Sequence, residues 1–167
     1  MESRVNKAVA LFESGYNCAQ SLFAAYADLF GMDREAALKL SSPMGAGIGR
    51  MREVCGAVSS MSLLLGLKEG NSDAADEEAK KRIYEKTRQM ADAFKEVNGS
   101  IICRELLGIE GREESAAPSV RDAAYYASRP CSRLIACAAR IVEEMLLSDE
   151  SALDCVDVEK TKRERHG

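Results

Sequence analysis

Histidine is almost absent from this 167-residue chain. The single histidine, His166, stands one residue from the end. A His-based metal site or a Cys–His catalytic pair would require this C-terminal segment to fold back onto the rest of the chain. The scarcity of histidine therefore argues against a cysteine protease.

Long apolar runs are also missing. No stretch approaches the roughly 18 to 20 apolar residues needed to cross a bilayer, and no basic start followed by an apolar segment resembles a signal peptide. The formal net charge is -4, and the one basic cluster lies at the extreme C-terminus, whereas nucleic-acid binding needs a concentrated positive face. We expect a soluble, cytoplasmic protein with no membrane and no nucleic-acid partner.

The six cysteines include no Cys-x-x-Cys pair. That spacing is typical of zinc ribbons, thioredoxin motifs and ferredoxin clusters, so none of these is present as a local motif. Secreted disulfide frameworks occur mainly in small domains with little core, whereas 46% of this chain is hydrophobic. Any shared cysteine site must therefore be assembled by the fold.

Alternating strand patterns are absent as well, and apolar residues recur at helical spacing instead. We predict an all-α fold, a compact bundle of about five to seven helices, with one domain over 1–148 and a solvated tail over 149–167. The predicted helices cover residues 3–13, 17–30, 33–40, 53–65, 71–97, 100–108 and 131–147, with a weaker helical patch around Tyr125 and Tyr126.

Capping residues place several of these helix ends. Asn17 is the predicted N-cap of the second helix, and Gly31 its stop. Residues 71–73, Asn-Ser-Asp, offer caps for the long helix that follows them.

A glycine loop precedes an apolar segment that contains Cys55. The loop carries Gly45, Gly47 and Gly49, whose spacing does not match a dinucleotide-binding fingerprint and follows no strand. The segment 53–65 is almost uncharged, so we predict that it is the most buried helix, with Cys55 in its first turn.

A helix N-terminus favours a thiolate through its dipole and its unpaired N–H groups. Arg50 and Arg52 lie close to Cys55 in sequence and favour the thiolate further. Cys55 is therefore the predicted most reactive thiol.

Four cysteines fall in the first turn of predicted helices: Cys18, Cys55, Cys103 and Cys131. Packing alone can explain any one of them, because free cysteine behaves as a small hydrophobe. Four together favour chemistry, and helices that run up and down a bundle can bring such ends together. We predict that the four converge on one site, while Cys137 and Cys155 stand apart.

The local context of these four cysteines resembles the C_GCAxxG_C_C family of redox-active proteins. The similar segments are Gly15-Tyr-Asn-Cys-Ala-Gln20, Cys55-Gly-Ala57 with Gly66-Leu67 beyond it, Cys103-Arg-Glu-Leu-Leu-Gly108 and the helix that Cys131 opens. The resemblance implies redox or metal-binding roles for the four cysteines. The chain departs from the signature at Ser60, where a glycine is expected.

Two classes of function follow. One is a small redox protein, in which thiols cycle between dithiol and disulfide or hold a metal or iron–sulfur centre. The other is a non-catalytic helical interaction protein with a structural metal or none. The cofactor is open, with an iron–sulfur cluster or zinc as candidates, and so is the redox partner. The apolar second and central helices favour a homo-oligomer.

Close backbone approach makes four glycines candidate cofactor contacts: Gly45, Gly47, Gly49 and Gly56.

Overall fold

The computed structural model describes residues 1–148, which form eight α-helices and no β-strand. The helices are α1 (Val5–Glu13), α2 (Cys18–Tyr26), α3 (Arg34–Ser41), α4 (Gly56–Glu69), α5 (Glu77–Asn98), α6 (Cys103–Leu107), α7 (Ala123–Ser128) and α8 (Cys131–Val142). The predicted all-α fold is confirmed. There is one helix more than the expected five to seven because the weaker patch around Tyr125 and Tyr126 forms a short separate helix, α7. The predicted tail, with Cys155, lies outside the described residues.

Short turns of other helical types extend three of these helices. Ala27–Phe30 and Ser42–Met44 are 3-10 turns that follow α2 and α3, and Glu143–Leu147 is a π-type turn after α8. Gly31 ends the first of these with a left-handed φ of 80°, as the sequence predicted.

Side-chain caps stand at the starts of α2 and α5. Asn17 caps α2 as predicted, since its side chain accepts the Gln20 N–H at 2.9 Å and the Gln20 side chain accepts the Asn17 N–H at 3.2 Å. The prediction for α5 is wrong: its cap is Asp76, which accepts the Ala79 N–H at 2.8 Å. Residues 71–73 precede the helix, and Asp73 closes a separate turn.

Helix α2 lies at the centre of the bundle and packs against α1, α3, α4 and α8. Seven of its nine residues are buried, compared with seven of the fourteen in α4. The prediction that the 53–65 helix is the most buried is therefore wrong. Helix α4 continues to Glu69, and its last turn reaches the surface, whereas the short α2 is surrounded along its length.

Small residues let α2 and α4 approach closely. A Cβ at Gly56 would lie 2.6 Å from Cys18 Sγ and 3.0 Å from the Ala19 nitrogen, so only glycine fits there. One turn further on, the fully buried Ser60 donates its hydroxyl hydrogen to the Ala19 carbonyl at 2.8 Å. The apolar residues of both helices thus pack against other helices of the same chain. These apolar residues were the basis for the expected homo-oligomer, which stays a prediction.

The glycine loop has an unusual backbone. Five consecutive residues, 46–50, have φ between 52° and 70°, and Arg52 also has a positive φ of 62°. Ala46, Ile48 and Arg50 have side chains that disfavour this region, and β-branched Ile48 does so most. Hydrogen bonds hold the loop in place, among them the Gly49 N–H to the Pro43 carbonyl at 2.8 Å.

The segment between this loop and α4 is extended rather than helical. Val54 pairs with Ile102 in an isolated antiparallel bridge. The Cys55 N–H donates to the Ile101 carbonyl at 2.8 Å, and the Cys103 N–H donates to the Glu53 carbonyl at 2.6 Å. This pairing delays the start of α4 to Gly56 and sets Cys55 beside Cys103.

Candidate functional site

The four predicted cysteines line one cavity of about 50 Å³. Cys18, Cys103 and Cys131 are the first residues of α2, α6 and α8, and Cys55 is the N-cap of α4. The cavity therefore lies where four helix starts meet. A cavity of this size holds only a few water molecules.

Cys18 lies against Gly56, the residue that follows Cys55, and both cysteines line the cavity. Cys18 is half-buried, and its sulfur faces the Gly56 position, immediately after Cys55 in the chain. Cys55 is deeper, with 5% of its surface exposed. The cavity thus has one more accessible and one deeply buried thiol side by side.

Burial raises the pKa of the Cys55 thiol far above its ordinary value, and a charge on Cys18 raises it further. The N–H groups of Ala57 and Val58 oppose this shift by hydrogen bonding to the sulfur, as the helix-terminus argument predicted. Their effect is smaller than that of burial. The expectation that the Cys55 thiolate is favoured is therefore wrong, and its low exposure also contradicts the expected high reactivity.

The two arginines of the loop also point elsewhere. Arg52 is buried and its Nη1 lies 3.9 Å from the sulfur of Cys103, not of Cys55. Arg50 reaches the 113–119 segment, where its Nη1 donates to the Ala117 carbonyl. Sequence proximity misled here because the loop directs Arg50 to the 113–119 segment and sets the Arg52 guanidinium beside Cys103, although Arg52 lines the same cavity as Cys55.

Cys103 and Cys131 complete the cavity. Burial raises the pKa of Cys103, and Arg52 opposes that shift. Burial, followed by charges on Cys18 and Cys103, raises the pKa of Cys131 to about 12, against opposition from Arg129 and Arg121. Cys18 is thus near enough to the other three thiols for a charge on it to raise the pKa of each of them.

Arginines and aromatic rings also line the cavity, which the sequence did not indicate. The Arg121 guanidinium lies 4.7 Å from the ring centroid of Phe12 and 4.8 Å from that of Tyr125, and Arg129 lies 5.3 Å from Tyr125. Arg121 also donates to the Tyr16 carbonyl at 3.3 Å. Their only signal in the sequence is two arginines flanking two tyrosines, which does not specify a contact with α1.

The remaining cysteine of the described residues stands apart. Cys137 does not line the cavity, and its sulfur accepts a hydrogen bond from Asn98 at 3.3 Å. Cys155 lies beyond residue 148, so the expectation that it also stands apart from the shared site stays a prediction.

The four candidate glycines have different surroundings. Gly56 lines the cysteine cavity, and Gly45 lines a neighbouring groove. Gly47 packs on Cys103, where an added Cβ would come within 2.7 Å of the cysteine Cβ. Gly49 lines neither space. Close backbone approach is real at three of the four, and their role as cofactor contacts remains a prediction.

Metal binding makes a stricter demand than convergence on one cavity. All five cysteines of residues 1–148 are free thiols. Within this part of the chain, no group of three or more His, Cys, Asp or Glu side chains is arranged to hold a metal ion. The four thiols of the described residues therefore line one cavity without being grouped as a metal site.

A comparison with protein families matches residues 16–145 to the family described as "Putative redox-active protein (C_GCAxxG_C_C)". The match covers more than three-quarters of the chain. The chain belongs to the C_GCAxxG_C_C family. No curated protein and no solved structure matches it. The match to this redox-active family spans all four cysteines of the cavity.

Ser60 is the departure from the C_GCAxxG_C_C signature that the sequence revealed. Its hydroxyl is fully buried and bonded to the Ala19 carbonyl, so the larger side chain brings its own hydrogen-bond partner to the α2–α4 contact. The substitution alters the crossing without touching a sulfur.

No helix of residues 1–148 combines the length and the apolarity that a membrane span requires.

Proposed function

We propose that this protein is a thiol–disulfide redox protein in which Cys18 is the attacking thiol and Cys55 the resolving thiol. The observation that carries the proposal is that a half-buried and a buried cysteine line one small cavity, with Cys18 Sγ against Gly56, the residue next to Cys55. A thiol must be accessible to attack a substrate, and Cys55 is not. Cys131 is the other half-buried thiol of the cavity, and its pKa of about 12 keeps it protonated at neutral pH.

The reaction balances as two thiol–disulfide exchanges. The Cys18 thiolate attacks one sulfur of a substrate disulfide, the substrate S–S bond breaks, and the first substrate thiolate leaves and takes up a proton. Cys55 then loses its proton and attacks Cys18 Sγ, which releases the second substrate thiolate. The substrate gains two electrons and the protein holds a Cys18–Cys55 disulfide. A dithiol reductant, the redox partner, returns the protein to its starting state.

The electrostatics of the cavity support this order of steps. A charge on Cys18 contributes to the raised pKa of Cys55. That contribution disappears once Cys18 is bound in a mixed disulfide, because the sulfur is then neutral. Cys55 therefore loses its proton more readily after the first exchange than before it, which supports a resolving role.

A zinc or iron–sulfur centre is the second candidate, favoured by the four thiols that line one cavity. Such a site needs all four sulfurs about 2.3 Å from a metal, whereas a disulfide needs only two cysteines with Cα atoms within about 7 Å. The two-thiol chemistry makes the smaller geometric demand, and Cys18 and Cys55 both line the cavity. Cys18, Cys55, Cys103 and Cys131 are the ligands that a metal centre would use.

Oxidation of the reduced, anaerobically purified protein tests the proposal. We expect mild oxidant to remove two hydrogens and mass mapping to locate a Cys18–Cys55 bond. Cys18→Ser and Cys55→Ser should each abolish this bond, and the control Cys137→Ser should leave it intact.

Two results would contradict the proposed thiol–disulfide function. One is a disulfide that maps to another pair. The other is zinc at stoichiometry, or an iron–sulfur absorbance, that every one of the four single serine substitutions removes.

A further inference from the structure

A groove lined by three arginines adjoins the cysteine cavity. It has a volume of about 230 Å³, and its arginines are Arg50, Arg52 and Arg121. Two of them, Arg52 and Arg121, line the cysteine cavity as well. The groove and the cavity therefore share a wall, and a molecule in the groove would lie beside the thiols.

Arg52 is an unusual residue for such a position. Only 5% of its surface is exposed, and its Nε has no hydrogen-bond partner among residues 1–148. Its other contacts are long: Nη1 lies 3.9 Å from Cys103 Sγ, and Nη2 lies 3.9 Å from a Glu113 oxygen. A buried guanidinium with an unpaired Nε is expensive unless a ligand completes its hydrogen bonds.

Arg50 repeats this pattern. Its Nε is also buried without a partner in the described part of the chain, and its Nη2 lies 3.5 Å from the same Glu113 oxygen. Nη1 is bound to the Ala117 carbonyl and lies 3.2 Å from Ser119 Oγ. In both arginines, the edge formed by Nε and Nη2 is the edge left incompletely bonded.

That edge has a preferred ligand. The Nε–H and Nη–H groups of a guanidinium bind a carboxylate through two parallel hydrogen bonds. Glu113 approaches the Nη2 atoms at 3.5 and 3.9 Å and does not complete such a pair. One carboxylate thus faces two arginines and satisfies neither Nε.

We propose that the Nε–Nη2 edges of Arg50 and Arg52, two arginines that line this groove, bind the carboxylate of a small anionic ligand, and that Glu113, which lies against these edges at 3.5 and 3.9 Å without lining the groove, takes the place of that carboxylate when the ligand is absent. Glu113 lies in the segment without helix between α6 and α7, so it can withdraw without disturbing a helix. The ligand replaces one long ion pair with a bidentate one. Identifying it as the thiol or disulfide substrate rests on the proposed function, since its sulfur would then face Cys18; the binding of a carboxylate does not.

Nuclear magnetic resonance of the arginine Nε–H groups tests the proposal on the reduced full chain. Acetate is the probe, titrated at constant ionic strength, with inorganic phosphate as a second probe. We expect acetate to shift the Arg50 and Arg52 Nε–H signals. Glu113→Gln should tighten acetate binding about tenfold because it removes the competing carboxylate.

The matched control is Glu114→Gln, which makes the same change of charge at the neighbouring exposed residue. It should leave acetate binding within about twofold of the wild type. Arg50→Gln should weaken binding in every background.

Three results would overturn the proposal: no shift of either Nε–H signal, equal tightening by Glu113→Gln and Glu114→Gln, or a response to phosphate alone. Acetate carries no sulfur, so Cys18→Ser should bind it as the wild type does. If the groove binds acetate and no Cys18–Cys55 disulfide forms, the proposed function fails and the carboxylate site stands. If the disulfide forms and acetate does not bind, the carboxylate site fails alone.

Discussion

The α2–α4 crossing and the glycine loop both bring backbone against a cysteine, but by different means. At the crossing, Gly56 meets Cys18 within regular helices, and the approach depends only on the size of the side chain. In the loop, Gly47 meets Cys103 through a run of positive φ angles and hydrogen bonds. Close approach between helices can be read from small residues, whereas close approach by a loop depends on partners far away in sequence.

A charge buried in α4 has the largest expected effect on stability. Val58 is 4% exposed in α4, so Val58→Asp would bury an unpaired carboxylate. We expect a loss of about 3 to 5 kcal/mol in the free energy of unfolding, measured by urea denaturation. Leu67→Asp, in the same helix but 37% exposed, should cost far less. Equal losses for both variants would show that burial of the substituted residue does not determine the loss of stability.

A single methyl group at the close approach has the next largest effect. Gly56→Ala sets a Cβ against Cys18 Sγ and backbone atoms, including the Met44 carbonyl oxygen at 3.0 Å. We expect a loss of about 1 to 3 kcal/mol and a slower formation of the Cys18–Cys55 disulfide.

Gly66→Ala is the matched control for that change. It lies in the same helix with no atom within 4 Å of the added Cβ, and should stabilise the protein by up to about 1 kcal/mol. If Gly56→Ala also stabilises the protein, the two helices are not in close contact at that point.

The buried thiols make the free energy of unfolding depend on pH in the alkaline range. A thiol of the unfolded chain ionises near pH 8.5, about its ordinary pKa, whereas Cys131 has a pKa of about 12 in the folded state. Between these two pKa values the unfolded state binds fewer protons than the folded state. The Cys131 thiol therefore leaves the free energy of unfolding unchanged below the lower pKa and reduces it as the pH rises from the lower pKa to the higher one. The slope is about 1.4 kcal/mol per pH unit for each such thiol.

Urea denaturation at neutral pH and at about pH 10 measures this slope. Cys55 and Cys103 act in the same direction as Cys131, because burial raises the pKa of each. Cys131→Ala should make the alkaline loss of stability smaller. An unchanged slope in that variant would mean that Cys131 ionises as readily in the folded protein as in the unfolded one.

The smallest effect concerns the hydroxyl that replaces the signature glycine. Ser60→Ala removes the hydrogen bond to the Ala19 carbonyl, and we expect a loss of about 1 kcal/mol. Ser62→Ala removes only a 3.3 Å contact to a carbonyl of its own helix, so its effect should be smaller. If Ser60→Ala is neutral, the hydroxyl adds no stability to the crossing.

Helix positions were largely predictable because they depend on local patterns. Asn17 caps α2 through a residue three positions away, and Gly31 ends the following turn by its own conformational freedom. The conformation of residues 53–55 was not predicted. Their extended conformation depends on pairing with the chain near Ile102, which no local pattern encodes.

The cysteines were predictable as a set because each stands at a helix start, a feature of short-range sequence. Their ionisation was not, since burial outweighs the local N–H groups at Cys55 and depends on the whole bundle. The contact of Arg52 with Cys103 and the stacking of Arg121 on Phe12 join residues 51 and 109 positions apart.

The sequence by itself therefore determined the helices, their caps and the placement of four thiols at helix starts, because these follow from residues within one or two turns of each other. Only the tertiary structure decided that the thiols share a cavity, that Cys55 is buried and hard to ionise, and that an arginine groove adjoins it. Those properties depend on desolvation and on distances between segments far apart in the chain, and both arise only once the helices have packed.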